Sequence, residues 1–498
     1  MTSSNRWLIL SIVSVALFLI VIDMTVLYTA LPRLTHDLGA TANEKLWIIN
    51  VYPLVMAGLL PGLGTLGDRV GHKKLFVGGL LVFGIASLFA AYAWTPSLLI
   101  AARVPLAIGG AMMMPASLSI IRLVFTDERE RSFAIGIWAA VASGGAALGP
   151  IVGGLLLEHF WWGSVFLINV PIVAVALAFA VVVIPALARN GDRPWDLVAS
   201  IQLLAGLVGI VFAIKELAKP LPSYGSIGLA ALVGSLALVL FIRRQQRSAH
   251  PLIDFSLFRN ELFSAGVATA VLASFAIVGV ELVVSQRLQL VLGMSPLEAG
   301  LSILPIPLGA FLGSPITGLL LPRWGGAETL WRAIELAAFG LAGYLVVYDA
   351  GVIQQIACLS VLGVGLGAAM TAASSLIMLS APPDRAGMAA SLEEVSFEFG
   401  GMLGIALLGS LMSAVYSASL VLPASWKTDE IARDGLDQAL IVADRLQGAA
   451  ADELRALARS ASDEAFVVVI AVATAILFVT AALIRARAVR VHPTGEQQ

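Results

Sequence analysis

The sequence predicts an all-α membrane protein of fourteen spanning helices, arranged as two six-helix bundles with two further helices inserted between them. Three observations lead to this fold class. Of the 498 residues, 59% are hydrophobic and only 12% are charged, whereas soluble globular proteins average about 25% charged residues. Fourteen apolar runs are long enough to cross a bilayer. A short glycine-containing pattern also recurs once along the chain.

Each apolar run satisfies the length of roughly 20 residues that a spanning helix needs. None alternates apolar and polar residues as a strand of a membrane barrel does. The first run continues through Asp23 without a small-residue cleavage site, so we predict a spanning helix and not a signal peptide. The predicted spans are 7–30, 45–66, 74–94, 97–121, 131–157, 162–186, 197–216, 226–243, 262–285, 297–321, 328–348, 352–378, 387–418 and 464–486.

Basic residues indicate the orientation of these spans, because cytoplasmic loops are enriched in Lys and Arg. With the N-terminus inside, cytoplasmic segments hold 19 of the 30 basic residues. The short outer loops hold five, which are Arg33, Lys45, Lys215, Lys219 and Arg287. An even number of spans then places both termini in the cytoplasm.

The repeated pattern divides the chain into halves. Gly64, Arg69 and Gly71 close span 2, and Gly318, Arg323 and Gly325 stand 254 residues later at the end of span 10. Asp68 of the first copy corresponds to Pro322 of the second. Repeated halves are typical of secondary transporters.

We therefore predict an N-terminal bundle at 1–190, two inserted helices with linkers at 191–260, and a C-terminal bundle at 261–498. The segment 419–463 is the one sizeable piece outside the spans. Its leucines recur at near-helical spacing, which indicates two amphipathic helices forming an outer hairpin. A solvated linker is the alternative interpretation.

Composition also excludes several classes of protein. A net charge of −2 lacks the basic excess expected of a nucleic-acid binder. The single cysteine, Cys358, excludes an internal disulfide and is predicted to be a small buried hydrophobe. The sequence contains no GxxxxGK[ST], HExxH or GxSxG motif. We expect neither an enzyme nor a metal or cofactor site.

The loop between spans 2 and 3 carries the first specific motif. Glycines allow a tight turn, while a carboxylate and several bases at the inner face can form a latch that holds one conformation. The alternative is a basic loop that only fixes the orientation of the spans in the membrane. The motif residues are Gly64, Asp68, Arg69, Gly71, Lys73 and Lys74.

Span 5 carries the second motif. Small residues let helix backbones approach closely in a membrane, and the proline supplies a kink. A generic packing helix is the alternative. The residues at this long, regular spacing are Gly136, Gly145, Gly149, Pro150, Gly153 and Gly154.

These two motifs resemble motifs A and C of the major facilitator superfamily, and specifically of its 14-span drug:proton antiporters. Span 1 from Asp23 to Pro32, Arg103 ahead of Gly109 and Gly110 in span 4, and the segment 166–171 are also similar to that family. The similarity runs nearly end to end. It is strongest to the quaternary-ammonium exporters of the SmvA and QacA type.

The resemblance implies a major facilitator fold and a multi-pass protein of the bacterial inner membrane. It implies proton-driven export, by alternating access, of lipophilic cations such as quaternary ammonium compounds, dyes and biguanides. The proton gradient is then the energy source, and we expect a monomer to function. Two departures bear on coupling and substrate. Asn50 stands where relatives commonly carry an aspartate, and Ala310 stands where some that favour dications carry an acid.

Ionisable groups inside spans are costly and usually mark function. Asp23 lies near the middle of span 1, where burial disfavours its charged form, so we expect it to bind a proton or a cation. The permanently charged Arg103 in span 4 needs a partner, and the resemblance implies that it assists proton movement by biasing a nearby acid. The alternative for Asp23 is an acid that is bonded to a neighbouring helix for structure. The alternative for Arg103 is a structural anchor.

Span 13 contains three acids, Glu393, Glu394 and Glu398, and the last two share a helix face. We predict Glu394 as a proton- or cation-binding group, with the other two as weaker candidates; an interfacial cluster is the alternative. Glu281 in span 9 is a further candidate, although its closeness to Arg287 also fits an interfacial pair. Lys215 and Glu216 are predicted to be interfacial.

Four further residues are candidates for lining an apolar cavity, because aromatic faces attract organic cations and methionine adapts to varied shapes. They are Tyr52, Trp138, Met113 and Phe397. Two other functions remain open on the residues: a proton-coupled carrier of a specific metabolite, peptide or fatty acid, and a transporter-like receptor or scaffold without turnover.

Overall fold

The computed structural model describes residues 3–185, 195–217, 222–381, 386–422, 430–446 and 448–491. Seventeen α-helices account for most of these residues, and no strand occurs among them. The helices are α1 (Ser3–Leu38), α2 (Ala42–Val70), α3 (His72–Ala91), α4 (Pro96–Val124), α5 (Glu128–His159), α6 (Ser164–Leu167), α7 (Asn169–Val183), α8 (Leu197–Leu217), α9 (Tyr224–Arg247), α10 (Glu261–Gln286), α11 (Pro296–Ile303), α12 (Pro305–Trp324), α13 (Gly326–Val347), α14 (Val352–Ser380), α15 (Ala386–Ser419), α16 (Leu436–Arg445) and α17 (Ala449–Val491).

Thirteen stretches within the described residues are long and apolar enough to cross a membrane. Helices α6 and α7 together form one of them, and so do α11 and α12. Helix α5 is a further long helix of 32 residues, and it packs along α1. Every one of the fourteen predicted spans therefore coincides with a helix or a joined pair, which confirms the predicted fold class.

The internal repeat has a structural counterpart. Gly71 separates α2 from α3 with a φ of +100°, and Gly325 separates α12 from α13 with a φ of +81°. A residue with a side chain rarely adopts such angles, so the two glycines serve the same turn in each half. The chain thus reverses at equivalent points of the repeat.

Four apolar clusters organise the packing of the described residues, and one of them joins the end of α15 to α16 and the start of α17. The first joins α1 to α7, and the second joins α10 to α14 and α17. The third brings residues of α2 and α8 together with residues of α10, α14 and α15. Helix α8 therefore lies against the junction of the two halves. The predicted domain boundary at 190 and 191 lies outside the described residues.

The segment 419–463 differs in part from the prediction. Helix α16 is a separate amphipathic helix, as expected, but the second predicted amphipathic helix is continuous with the last span as α17, which is 43 residues long. No glycine or proline interrupts residues 449–491, so nothing in the sequence ends the helix before the span. Residues 423–429 and 447 of this segment lie outside the described chain.

Candidate functional site

A buried ion pair links two helices of the first half. The Nη1 atom of Arg103 on α4 donates to Oδ2 of Asp23 on α1 at 3.4 Å. The two side chains are 1% and 0% exposed. Sequence reasoning singled out each residue, and the structure makes them partners. Because an isolated charge at this depth would be very costly, each is the main reason the other can stay ionised.

Further polar groups complete this pair. The amide nitrogen of Asn169 on α7 donates to Oδ1 of Asp23 at 3.2 Å and to Oγ of Ser87 on α3 at 3.3 Å. Asn169 fell within the segment 166–171 that carried the family resemblance, but it was not predicted as a site residue. Asp23 is consequently held from two sides by donors on two other helices.

Aromatic rings cover the guanidinium of this network. The Cζ atom of Arg103 lies 5.2 Å from the ring centre of Tyr52 on α2 and 5.8 Å from that of Phe166 on α6. Both are within the range of a cation–π contact. Tyr52 is fully buried, and its hydroxyl has no hydrogen-bond partner among the described residues. It therefore touches the network as an aromatic face.

The acids of α15 approach this network from the second half. Glu398 is buried, and its Oε2 atom has no hydrogen-bond partner among the described residues. It lies close enough to Tyr52 for its charge to act on the Tyr52 hydroxyl, as the charge of Asp23 does. A carboxylate of each half therefore lies in the neighbourhood of Tyr52.

The remaining predicted acids form a continuous group with Glu398. The charges of Glu393 and Glu394 act on each other, and so do those of Glu394 and Glu398. Glu393 accepts a hydrogen bond from Ser374 on α14. Glu281 on α10 is half-buried, and its charge acts electrostatically on Tyr28 of α1, as does the charge of Glu398. Glu398 of α15 and Glu281 of α10 thus both lie within electrostatic range of α1.

The predicted cavity-lining residues occupy different places. Trp138 is half-buried on α5 and donates from Nε1 to Ser117 Oγ at 3.1 Å. Phe397 is half-buried on α15, and its carbonyl accepts from Ser274. Met113 is fully buried between α3 and α4 against Gly79. Packing accounts for Met113, and substrate contact at these residues stays a prediction.

The predicted motif A residues lie at the turn between α2 and α3. His72 Nε2 lies 3.3 Å from Asp68 Oδ1, and Lys73 Nζ donates to the carbonyl of Val181 on α7 at 2.8 Å. Arg69 and Lys74 are exposed. The start of α3 is therefore tied to the end of α7, while two bases remain in contact with solvent or headgroups.

The glycines of α5 fit against both halves. A Cβ atom at Gly149 would lie 1.8 Å from Oγ1 of Thr25, two residues after Asp23. A Cβ atom at Gly154 would lie 2.5 Å from the Cα atom of Leu297 on α11. Small residues allow this approach, so α5 is packed closely on α1 and on the second half. The remaining motif positions are distributed along the same helix: Gly145 and Gly153 face α1, Pro150 faces Gly300 of α11, and Gly136 lies nearer the helix start.

The outer hairpin binds the first half. Lys45 Nζ on α2 lies 2.8 Å from Oδ1 and 3.0 Å from Oδ2 of Asp437 on α16. Gln438 donates to the carbonyl of Ala40, and His36 Nε2 lies 3.3 Å from Asp444 Oδ2. We call these three contacts the outer clasp. They join α16, which belongs to the second half, to the predicted outer ends of α1 and α2.

Three bases assigned to outer loops are buried instead, and that prediction was wrong for them. Lys45 is held in the clasp. Arg287, 1% exposed, sits in a π-helical turn after α10 and binds Asp463 Oδ1 at 2.8 Å and Asp349 Oδ1 at 3.3 Å. Lys215 is 3% exposed on α8. Each finds a partner from a distant part of the chain, which a count of loop charges cannot reveal. Lys219, another of the five bases assigned to outer loops, is outside the described residues.

Comparison with known proteins accords with this architecture. A sequence profile described as the Major Facilitator Superfamily matches residues 13–405. The methyl viologen resistance protein SmvA of Salmonella typhimurium is 43% identical over 430 residues, covering 86% of this chain and 87% of that protein. The multidrug efflux pump LfrA of Mycolicibacterium smegmatis is 36% identical over 493 residues, covering 97% and 96%.

Two more similarities extend the comparison. The tetracenomycin C resistance and export protein of Streptomyces glaucescens is 32% identical over 444 residues, covering 88% of this chain and 81% of that protein. Among solved structures, a bacterial homologue of the human lysosomal transporter Spinster has a TM-score of 0.66 at 17% identity, covering 97% of this chain and 98% of that one. The second similarity concerns the fold alone.

Proposed function

We propose that this chain, which belongs to the Major Facilitator Superfamily, is a proton-driven antiporter that exports lipophilic organic cations. The family and the relatives indicate a membrane transporter and not an enzyme. The substrate class is inferred from relatives whose names give methyl viologen resistance and multidrug efflux. Methyl viologen is itself an organic cation.

One observation carries the proposal. Asp23 of the first half is buried against Arg103, and Glu398 of the second half is buried with an Oε2 atom that has no partner among the described residues, so each half places a carboxylate deep among the spanning helices. Acids at such depth are expensive and are retained for function. A carboxylate can be neutralised either by a proton or by an organic cation, which is the competition that an antiporter requires.

The mechanism follows from the partners of Asp23. In this mechanism, the donors Arg103 and Asn169 stabilise Asp23 as a carboxylate before the proton arrives. A proton arriving from outside neutralises Asp23 and frees Arg103, whose charge then favours ionisation of another acid. A cation bound near Glu394 and Glu398 is released when those acids take up protons. The two halves then return to the inward-open arrangement without substrate.

Charge sets the energetics of this exchange. Moving one elementary charge through 100 mV is worth about 2.3 kcal/mol. One proton exchanged for one monovalent cation moves no net charge, so the pH gradient alone drives it. A dication needs at least two protons, and Asn50 cannot supply one because an amide does not titrate in the relevant range. The number of protonatable groups therefore limits which cations can be driven.

The test is ethidium efflux from energised cells or inverted vesicles, with and without a protonophore. We expect efflux that the protonophore abolishes. Efflux insensitive to the protonophore would refute proton coupling. Transport of a narrow class of metabolites without ethidium would favour the specific carrier, and ligand binding without any flux would favour a receptor.

A further inference from the structure

We infer that Lys215 is a second proton-exchanging group, placed where the two halves of the transporter separate. This inference rests on the proposed function and extends it. Lys215 belongs to α8, one of the two inserted helices, and its side chain is 3% exposed. No Asp or Glu forms an ion pair with it among the described residues. A buried ammonium of this kind needs an explanation, because burial without a carboxylate strongly disfavours its charge.

Only weak partners surround the ammonium. Its Nζ atom lies 4.2 Å from the ring centre of Trp47 on α2. With its amide oriented so that both ends are satisfied, Asn50 on α2 accepts from Lys215 Nζ at 3.3 Å and donates to the carbonyl of Met402 on α15 at 3.1 Å. An aromatic face and an amide oxygen tolerate both the ammonium and the neutral amine. The site can therefore hold either form.

The neighbouring Glu216 accepts a hydrogen bond from the backbone N–H of Ser223 at 3.4 Å. From α2 Lys215 faces Trp47 and Asn50, and from α15 the backbone at Met402. Trp47 and Asn50 are thus the contacts that stabilise its charge among the described residues, whereas burial disfavours that charge.

Helix α8 is packed tightly on α2. A Cβ atom at Gly58 of α2 would lie 2.8 Å from Cβ of Leu204, and one at Gly62 would lie 2.0 Å from Oγ of Ser200. Glycines thus bring the two backbones close together. Helix α8 with Lys215 is therefore expected to move as one body with α2 and the first half.

Helix α15 belongs to the other half and covers this site. A Cβ atom at Gly409 of α15 would lie 2.5 Å from Cδ2 of Leu46 on α2. We call the contact of α2 with α15 along Leu46, Asn50, Met402 and Gly409 the outer seam. When the outer side opens, α15 withdraws, the bond between Asn50 and Met402 breaks, and water reaches Lys215.

This geometry allows Lys215 to gain and lose a proton in each transport cycle. With the seam open, the amine takes a proton from the outer solution, because a hydrated ammonium is stable. When the seam closes, the ammonium loses its water, and the proton passes to a carboxylate further in, where Glu398 lies one helical turn from Met402 on α15, and leaves from there when the inner side opens. A lysine that changes between neutral and positive carries the same single proton as a carboxylate that changes between negative and neutral. It therefore adds one proton to each transport cycle.

The test uses purified protein in liposomes, with the membrane potential clamped at zero and ethidium as the probe. The pH gradient that just stops net ethidium movement gives the number of protons exchanged per ethidium. We expect Lys215→Arg, which cannot release its proton, and Lys215→Met, which cannot bind one, both to exchange one proton fewer than the unaltered protein. Both should still exchange ethidium for ethidium across the membrane, since that reaction needs no net proton movement.

The matched control is Lys45→Arg, because Lys45 is also a buried lysine but is paired with Asp437, a pair that an arginine can keep. It should leave the number of protons unchanged. An unchanged number in Lys215→Arg, or loss of ethidium exchange in that variant, would overturn the inference, since the lysine would then matter only for charge or packing. Failure of the proposed function would be seen elsewhere: the unaltered protein would show no ethidium movement driven by a pH gradient.

Discussion

Lys45 and Asp437 are 392 residues apart in the chain, yet their side chains form an ion pair of 2.8 Å that is almost completely buried. The pair connects α2 of the first half to α16 of the second half. In a carrier whose halves rock against each other, such a contact has to break in every cycle. Its strength therefore sets how readily the outer side opens.

Removing one member of this pair should favour opening. Breaking a buried pair leaves a charge uncompensated and typically costs about 3–5 kcal/mol. We expect Lys45→Met to shift the population toward the outward-open state. The measurement is the rate at which a membrane-impermeant maleimide labels Leu46→Cys in a Cys358→Ser background, because Leu46 lies in the outer seam. Asp437→Leu added to Lys45→Met should slow labelling again, since no buried charge is then left; a rate unchanged by Lys45→Met would contradict the role of the clasp.

Asp23→Asn should abolish efflux driven by the proton gradient. The substitution keeps the shape of the side chain but removes the charge that compensates Arg103, and an amide cannot exchange the proton. Ethidium efflux from energised cells measures the loss. Asp23→Glu serves as the control, because it retains a titratable group and should keep partial activity. Full efflux by Asp23→Asn would refute the assignment of Asp23.

Gly149→Ala should impair the protein where Gly144→Ala does not. The added methyl group at Gly149 would meet Thr25 Oγ1 at 1.8 Å, whereas nothing lies within 4 Å of a Cβ at Gly144 on the same helix. Overpacking of this kind costs about 1–3 kcal/mol. We expect a lower thermal unfolding midpoint and slower efflux for Gly149→Ala alone. Equal behaviour of the two variants would show that α5 is not closely packed on α1 during transport.

Glu398→Gln should weaken transport of a dication more than that of a monovalent cation. Two unit charges about 4 Å apart attract by roughly 4 kcal/mol near a protein surface, and a second substrate charge that lies farther away adds a smaller attraction of the same sign. We expect kcat/KM for methyl viologen to fall by at least about tenfold, which corresponds to roughly 1.4 kcal/mol, and kcat/KM for ethidium to fall less. Glu464→Gln, on an exposed position of α17, is the control. Equal losses for both substrates would argue for a role in proton transfer alone.

Much of the fold follows from local properties of the chain. Long apolar runs predict helices because an unpaired backbone is intolerable in lipid, and the repeat of Gly71 at Gly325 follows from a turn that only glycine adopts easily. The single residues Asp23 and Arg103 could also be singled out, since any charge in a span is conspicuous. Their pairing could not, because it depends on how α1 and α4 face each other.

The errors have a common physical cause. Lys45, Lys215 and Arg287 stand near the ends of spans, where a charge ordinarily reaches water. Each is buried because another segment covers it: α16 for Lys45, α15 and α2 for Lys215, and α17 with the turn before α14 for Arg287. Such coverage arises from tertiary packing between segments that are distant in sequence. The hydropathy of one segment does not show which other segment covers it in the folded protein.

The continuity of α17 has a mechanical consequence. At 1.5 Å per residue, its 43 residues extend for roughly 65 Å, about twice the thickness of the hydrocarbon core. Arg287 binds α17 at Asp463, close to the predicted start of the last span. Helix α16 packs on the outer part of α17. A rod without a flexible joint transmits a tilt from one end to the other. A molecule that binds the hairpin from outside, such as an antibody fragment, would therefore apply torque to the far side of the membrane without touching the central acids.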